Sequence, residues 1–589
     1  MPKITRLNRI TESPRFADVP SSSMHSFRCL PARTSAALAL AALFSGLAVS
    51  SGVAANQTWT GGGSGTNWNT AGNWGGTAPS GGDALIFAGS TKFSNVNNFT
   101  TGTTFAGITF ASGASAFTLA GNGITLTGSI VNSSSNLQTI TLPTVLSAIQ
   151  TFDTGGSGLT IGATGGGATG AISGVGSVTK IGSGTLTLNA TNTYTGATTI
   201  SAGTLLLGNS GVGALSSSTA VTVASGAIFN MGSYSSSVGS IAGAGNINGT
   251  GNITLTSGGN NASTEVSGNI SFTGGAGSGT LIKNGTGTLT LSGTNTYGAT
   301  TINAGTLVFQ KTSAKGTGTA TAGASGTIGL GVGGTGFYNA TQVASLFNTT
   351  LAGFTLASGS GVAIDTTAGN FTQGTALTAA RALTKLGANT LTLTTANTYS
   401  GGTKINAGTV LANNTTGSAL GTGAATVNSG ATLGGTGFIG AFTTISSGGQ
   451  LAPGNSPGTI TFTNGLAFES GAIINFELGT LSDSIVVTGG TLSSAGSESI
   501  TINLSDSGDF GIGTYTLIDG TGASFSSIDE ASFELGSIIN GYNYAFTRSD
   551  DLLQLTVTAV PEPATCAALT GLAALALVAG RRFRSRRAS

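Results

Sequence analysis

One phrase, written three times, limits what this chain can fold into. "GTLTLNATNTYTGATTISAGTL" (residues 184–205) returns as "GTLTLSGTNTYGATTINAGTL" (287–307) and as "NTLTLTTANTYSGGTKINAGTV" (389–410). Tyr194, Tyr297 and Tyr399 stand 103 and 102 residues apart, and a lysine introduces each copy: Lys180, Lys283 or Lys385. A residue that recurs with a repeat belongs to the architecture before it belongs to a one-off catalytic site.

The phrase reads as short strands punctuated by Gly and Asn. In the third copy, residues 390–393, 402–405 and 408–411 alternate with period two. That places Leu391, Leu393, Ile405 and Leu411 towards one interior and the threonines outwards. Leu186, Leu289 and Leu391 share one position in the phrase, so all three are expected inside. Strands this short bury an apolar face only by stacking on neighbours, which is how a solenoid forms. Asn192 and Thr198, or their counterparts, are then placed to form side-chain ladders between coils. With roughly 24 residues per coil and ~4.8 Å between coils, residues 56–560 give roughly twenty coils and a length on the order of 100 Å. Composition agrees. Gly makes up 99 of 589 residues without a three-residue period, which excludes collagen, and 7% charged residues is too few for a solvated disordered chain.

Both ends read as addresses. Arg28 and Arg33 precede an apolar run over 36–49 and small residues to Ala55, the three-part pattern of a secretory signal peptide over 1–55, with Met24 as an alternative start. At the other end Pro561, Glu562 and Pro563 precede an apolar span over 564–580 and an arginine cluster that begins at Arg581 and Arg582. Seventeen residues is about the lower limit for crossing a bilayer, and the cationic flank would stay cytoplasmic. A single C-terminal transmembrane helix is expected there.

Removing those ends strips the chain of much chemistry. His25 and Cys29 lie in the leader and Cys566 in the tail span, so residues 56–560 hold no imidazole and no thiol. Ser-His-Asp and Cys-His sites, the usual zinc sites and disulfides are excluded. The same residues carry nine Lys plus Arg and sixteen Asp plus Glu, a net charge of −7, which makes nucleic acid an unsuitable partner. Twelve of those acids lie between Glu469 and Asp551, so composition shifts near residue 465. The domain reading is a β-helix over 56–465, with repeats near 178–210, 281–309 and 383–412, then an acidic β-rich segment over 466–559 that forms terminal coils or a cap. Asp506, Asp509, Asp550 and Asp551 fit solvated turns better than a calcium site, which usually needs about six oxygen ligands. "GLGVGG" from Gly329 satisfies a nucleotide-loop pattern, but no strand–helix context accompanies it. Asp153, Glu265 and Asp365 are too isolated to read as a glycosidase pair. No catalytic, cofactor or metal residues are assigned. Trp59, Trp68 and Trp74 read as a cap on the first coil or, alternatively, as a sugar-stacking platform. Residues 341–347 read as a helical turn inserted between coils.

Two resemblances add to this. "KxGxGTLTLxxxNTYxGxTxIxAGTL" is similar to the autotransporter-associated β-strand repeat of bacterial passenger domains; copy two drops a residue after Tyr297, and copy three has Asn389 for a glycine. The last 30 residues resemble the PEP-CTERM sorting signal, with Pro561, Glu562, Pro563, Arg581 and Arg582 at the motif positions. Together the resemblances imply an all-β, right-handed parallel β-helix with a C-terminal transmembrane sorting helix. They also imply an exosortase-type processing enzyme as partner, passage through the inner membrane, and a final place at the cell surface or in an exopolysaccharide matrix. The function expected is structural or adhesive and non-enzymatic. A carbohydrate-binding surface protein is the alternative, and a polysaccharide lyase or hydrolase is the third reading. Exopolysaccharide or other surface glycans are candidate partners.

Overall fold

The alternating strands stack in parallel, each on the strand one coil earlier. The computed structural model describes residues 54–163, 169–208, 214–275, 277–495, 499–526, 528–560 and 572–578. The expected leader, apart from Ala54 and Ala55, lies outside the described residues, as do Pro561, Glu562, Pro563, Arg581 and Arg582.

Three faces build the first coils. One nine-stranded face begins with Asn56–Trp59, Ala84–Phe87 and Gly107–Phe110; a second begins with Ser94–Asn97 and Thr118–Gly121. A third, four-stranded face carries Thr103–Phe105, Ile124–Leu126, Thr144–Leu146 and Ile172–Gly174. Further on, sheets of 16, eight and six strands continue the stack. Apart from an isolated antiparallel bridge between Gly435 and Gly454, pairing among the described residues is parallel, as Leu159↔Leu186↔Leu205 illustrates, until the C-terminal end. There Gly513–Asp519 and Tyr542–Ser549 both pair antiparallel with Leu552–Ala559. Residues beyond 465 thus contain parallel strands followed by an antiparallel three-stranded arrangement.

Period-two alternation sets the core. Leu186, Leu289 and Leu391 are all buried, each aligned with a buried residue of the next coil: Leu205, Leu307 and Val410. Residues 341–347 fall within an eight-residue helix, Ala340–Phe347, closed by a reciprocal capping box between Asn339 and Gln342. Its Val343, Leu346 and Phe347 are buried, so it extends the core sideways. "GLGVGG" begins within the strand Ala320–Gly331, the fully paired neighbour of two coils, and forms no phosphate loop.

Four expectations are corrected. Among the described residues no helix is long and apolar enough to cross a membrane. The helical residues described within the expected span, 572–578, rise only about 10 Å, against the ~30 Å of a hydrocarbon core. The fold class therefore loses its single transmembrane helix. The membrane as partner, the transient inner-membrane stage and the exosortase-type partner, all of which presuppose that helix, are corrected with it. Second, Leu411 faces outwards, because Val410 and Ala412 take the interior of Gly408–Ala412. The phrase gains a residue of offset at Gly408, so alternation carried over from the previous strand is inverted there. Third, the threonines are not uniformly outside: Thr198, Thr300 and Thr403 are buried. Fourth, the coil at the phrase is shorter than the roughly 24 residues expected. Val178 pairs with Thr198 and Thr185 with Thr204, so its turn is 20 and 19 residues.

Candidate functional site

The repeated residues converge on one polar arrangement inside an otherwise apolar stack. Lys180 lies on Val178–Ile181, Lys283 on Thr280–Lys283 and Lys385 on Leu383–Leu386, each at an inward position of its strand. A lone ammonium there would be costly, and each is fully hydrogen-bonded instead. Lys180 Nζ donates to the carbonyls of Ile181 (2.9 Å), Gly182 (2.7 Å) and Ala202 (2.9 Å). Lys283 donates to Asn284 (2.6 Å), Gly285 (2.8 Å) and Ala304 (3.3 Å). Lys385 donates to Leu386 (2.9 Å), Gly387 (2.7 Å) and Ala407 (3.0 Å). Two acceptors are the residues that directly follow the lysine and the third belongs to the next coil, so one side chain joins both. Gly182, Gly285 and Gly387 sit at φ of 77°, 67° and 77°, a left-handed turn that a side chain would strain.

Burial draws the three ammonium groups down to about 8, with Asp153 and Asp365 opposing the shift at Lys180 and Lys385. The three carbonyls around each favour its charged form.

The asparagine forms a second clamp. Asn192 accepts from Ile172 N (2.7 Å) and donates to Ala214 O (2.7 Å). Asn295 does the same with Ile270 (2.8 Å) and Ala314 (2.6 Å), and Asn397 with Leu377 (2.8 Å) and Ala419 (2.7 Å). These bonds run to backbone one coil behind and one coil ahead, not to a ladder of like side chains. The tyrosine completes the set. Tyr194 and Tyr399 share a hydrogen bond with Thr198 and Thr403 (2.6 Å each), and Thr300 donates to Tyr297 (3.1 Å). Copy two, one residue shorter, keeps this pair by using the threonine three residues on. Burial raises all three phenols far above their usual range. In copy three Asn389 replaces glycine, and its amide donates to the carbonyls of Thr366 (2.8 Å) and Thr367 (3.1 Å), a further tie between coils.

The tryptophans form the cap. Trp59 and Trp68 are fully buried and Trp74 is 4% exposed, so no ring face is offered to a sugar. Trp59 and Trp74 meet edge to face at 5.2 Å, and Trp68 and Trp74 at 6.3 Å. Trp68 Nε1 donates to Asn95 Oδ1 and Trp74 Nε1 to the Trp68 carbonyl, both at 2.6 Å. The alternative of a glycan platform built on these rings, with glycans as partners, is corrected by that burial.

The isolated carboxylates have structural positions. Asp153 accepts from Gly155 N, Asp365 from Gln310 Nε2 and Thr367 N, and Glu265 from Ser292 Oγ. Asp506 caps its own turn at Gly508 N, and Asp509 accepts from Thr480 N. Among the described residues no three His, Cys, Asp or Glu side chains group as metal ligands would. Sequence reasoning marked the lysines as features of the repeat but missed their burial. The available signal was a cation at one fixed phase in a segment with only nine.

The repeats are similar to the passenger-associated-transport-repeat family, whose profile matches residues 178–207, 281–309 and 383–412. Each match runs from the strand that carries the lysine to the end of the strand that closes the next half coil. The chain is also similar to the adhesin BmaC autotransporter of Brucella suis biovar 1 (strain 1330), 37% identical over 144 residues. That alignment covers 23% of this chain and 4% of the relative, so the chain spans a small part of the length of the curated protein it matches.

Proposed function

We propose that this protein is an exported bacterial surface component, a non-enzymatic, adhesin-like solenoid. The observation that carries the reading is the Lys–Asn–Tyr arrangement, which occurs three times in coils of the passenger-repeat type and joins each coil to the next. Polar groups that an enzyme would aim at a substrate are here turned inwards on the backbone. Similarity to a segment of a bacterial adhesin supports the same role, and the leader over 1–55 would supply export. Residues 56–465 serve as the scaffold and 466–559 as its acidic terminus.

Brief protease treatment of intact cells tests the proposal, combined with an attachment assay on cells lacking the gene. The expected results are loss of the protein from intact cells and at least a severalfold drop in attachment, restored by complementation. Retention in the cytosol with residues 1–55 uncut, and unchanged attachment, would overturn it.

A further inference from the structure

From residue 405 to residue 547 the sequence contains ten Asp and Glu and not one Lys or Arg. In the repeats, Lys180 and Lys385 each have an acid nearby, Asp153 and Asp365. Here no cation lies within the stretch, and its outer surface carries a groove of about 290 Å³. Its lining includes Gly434 and Ala452, which carry little or no side chain, the apolar Leu411 and Pro453, and the acidic Glu477 and Asp483. The outward turn of Leu411, where alternation predicted an interior residue, is what brings it into that lining.

The acidic end is built by hydrogen bonds. Asp483, 4% exposed, accepts from Gly458 N through Oδ1 and from Glu477 N through Oδ2, both at 2.8 Å. It is fixed in place beside Glu477, whose charge helps to hold the Asp483 carboxyl above its ordinary range, after the larger effect of burial. Glu477 Oε2 accepts from Ser456 Oγ at 2.5 Å. A cation entering the groove would meet two like charges that nothing in the stretch neutralises.

We propose that this groove binds a lysine side chain of a partner polypeptide, with its aliphatic stem on Leu411, Ala452 and Pro453 and its ammonium against Glu477. Lysine suits the site better than arginine. One oxygen of Glu477 is already held by Ser456, so the two-oxygen fork that arginine prefers is not on offer, whereas a point charge on a flexible stem fits. A groove of this size takes one long side chain with its stem desolvated, which is how such side chains cover apolar surface. The inference goes beyond the adhesive reading. It concerns one groove and one side chain, and it stands or falls whether or not cells attach through the protein.

The test uses the full chain with acetyl-Gly-Lys-Gly-amide as probe, read by saturation-transfer NMR. Its norleucine counterpart and free 1,5-diaminopentane are run in parallel. Strong transfer to the lysine methylenes is expected, and replacing lysine by norleucine should weaken binding by about fivefold or more. Glu477→Gln, which keeps the Ser456 hydrogen bond, and Ala452→Leu, which adds bulk to the lining, should each cause a similar loss. An unchanged thermal midpoint certifies each variant, and if Ala452→Leu does not fold, Glu477→Gln decides. Equal binding of the norleucine peptide would overturn the proposal by reducing the site to an apolar groove. Binding that survives both substitutions would overturn it in favour of diffuse attraction to acidic coils. Binding of the diamine but not the peptide would make the site a small-amine pocket and overturn the polypeptide partner.

Discussion

The repeat coils and the acidic coils that follow them share one backbone architecture but differ in how their side chains tie one coil to the next. In the repeats, ties between coils lie inside: an ammonium on three carbonyls, an amide bridging two neighbouring coils, and a phenol on a threonine. Between residues 450 and 503 buried Asp483 is joined by ties outside, where Asn475 donates to Gln450 (3.0 Å) and Asn503 donates to Asn475 (2.9 Å) in an amide ladder across the outward face. An inward tie removes polar groups from water, so each must be satisfied, and its loss strands its partners. An outward tie competes with solvent and can be lost cheaply. The same fold is thus rigidly specified where its polar groups are buried, and its surface is free to vary where they are exposed.

Substitutions that probe inside against outside should separate accordingly. The largest effect is expected for Leu186→Asp, which puts an unpaired charge into the dry stack and should cost about 3–5 kcal/mol in a urea titration. Thr187→Asp, one residue on and facing outwards, should cost under about 1 kcal/mol. Equal losses would mean that inside and outside have been misassigned.

Next comes the buried clamp. Lys385→Met keeps the length of the side chain but leaves three carbonyls without their donor, at a cost of about 2–3 kcal/mol. Limited proteolysis should then cut first between residues 383 and 412. Asn475→Ala in the outer ladder should cost about 0.5–1 kcal/mol on the same scale. If the ladder variant proves the more damaging, the contrast between the two regions fails.

The gentlest probe is pH. The three lysines have folded values near 8, below the ordinary 10.5, so between those pH values the unfolded chain binds more protons than the folded one. Stability should therefore climb from pH 8 towards 10. The buried tyrosines have folded values raised above the ordinary 10.0, so the unfolded chain loses those protons first. Stability should fall again above pH 10. Thermal unfolding of the full chain should show that maximum, and the triple variant Lys180→Met, Lys283→Met, Lys385→Met should lose the rising limb. A rising limb that persists would place its origin outside the repeats.

Much of this was legible from residues alone. Alternation identified Leu186, Leu289 and Leu391 as core because a strand has only two faces and the phrase repeats their environment. What alternation could not show was where it slips. Leu411 falls after a turn whose residue count decides which face comes next, and that count is not written in any local pattern. The membrane helix was inferred from apolar length, a cationic flank and a resemblance, and among the described residues no helix is long and apolar enough to cross a membrane.

The sequence by itself determined that this protein is a stack: a three-fold phrase of short alternating strands has no other way to bury its leucines, and a segment without imidazole or thiol has few routes to catalysis. Only the tertiary structure decided what the polar letters of that phrase do. A lysine, an asparagine and a tyrosine in a Gly-rich repeat are compatible with a solvated surface or with a buried clamp. The difference lies in carbonyls contributed by the residues that follow the lysine and by the next coil, the latter some twenty residues away in sequence and brought within hydrogen-bonding distance only when the coils close. Burying an ammonium is favourable only where three acceptors already converge, and that convergence is a property of the stacked backbone.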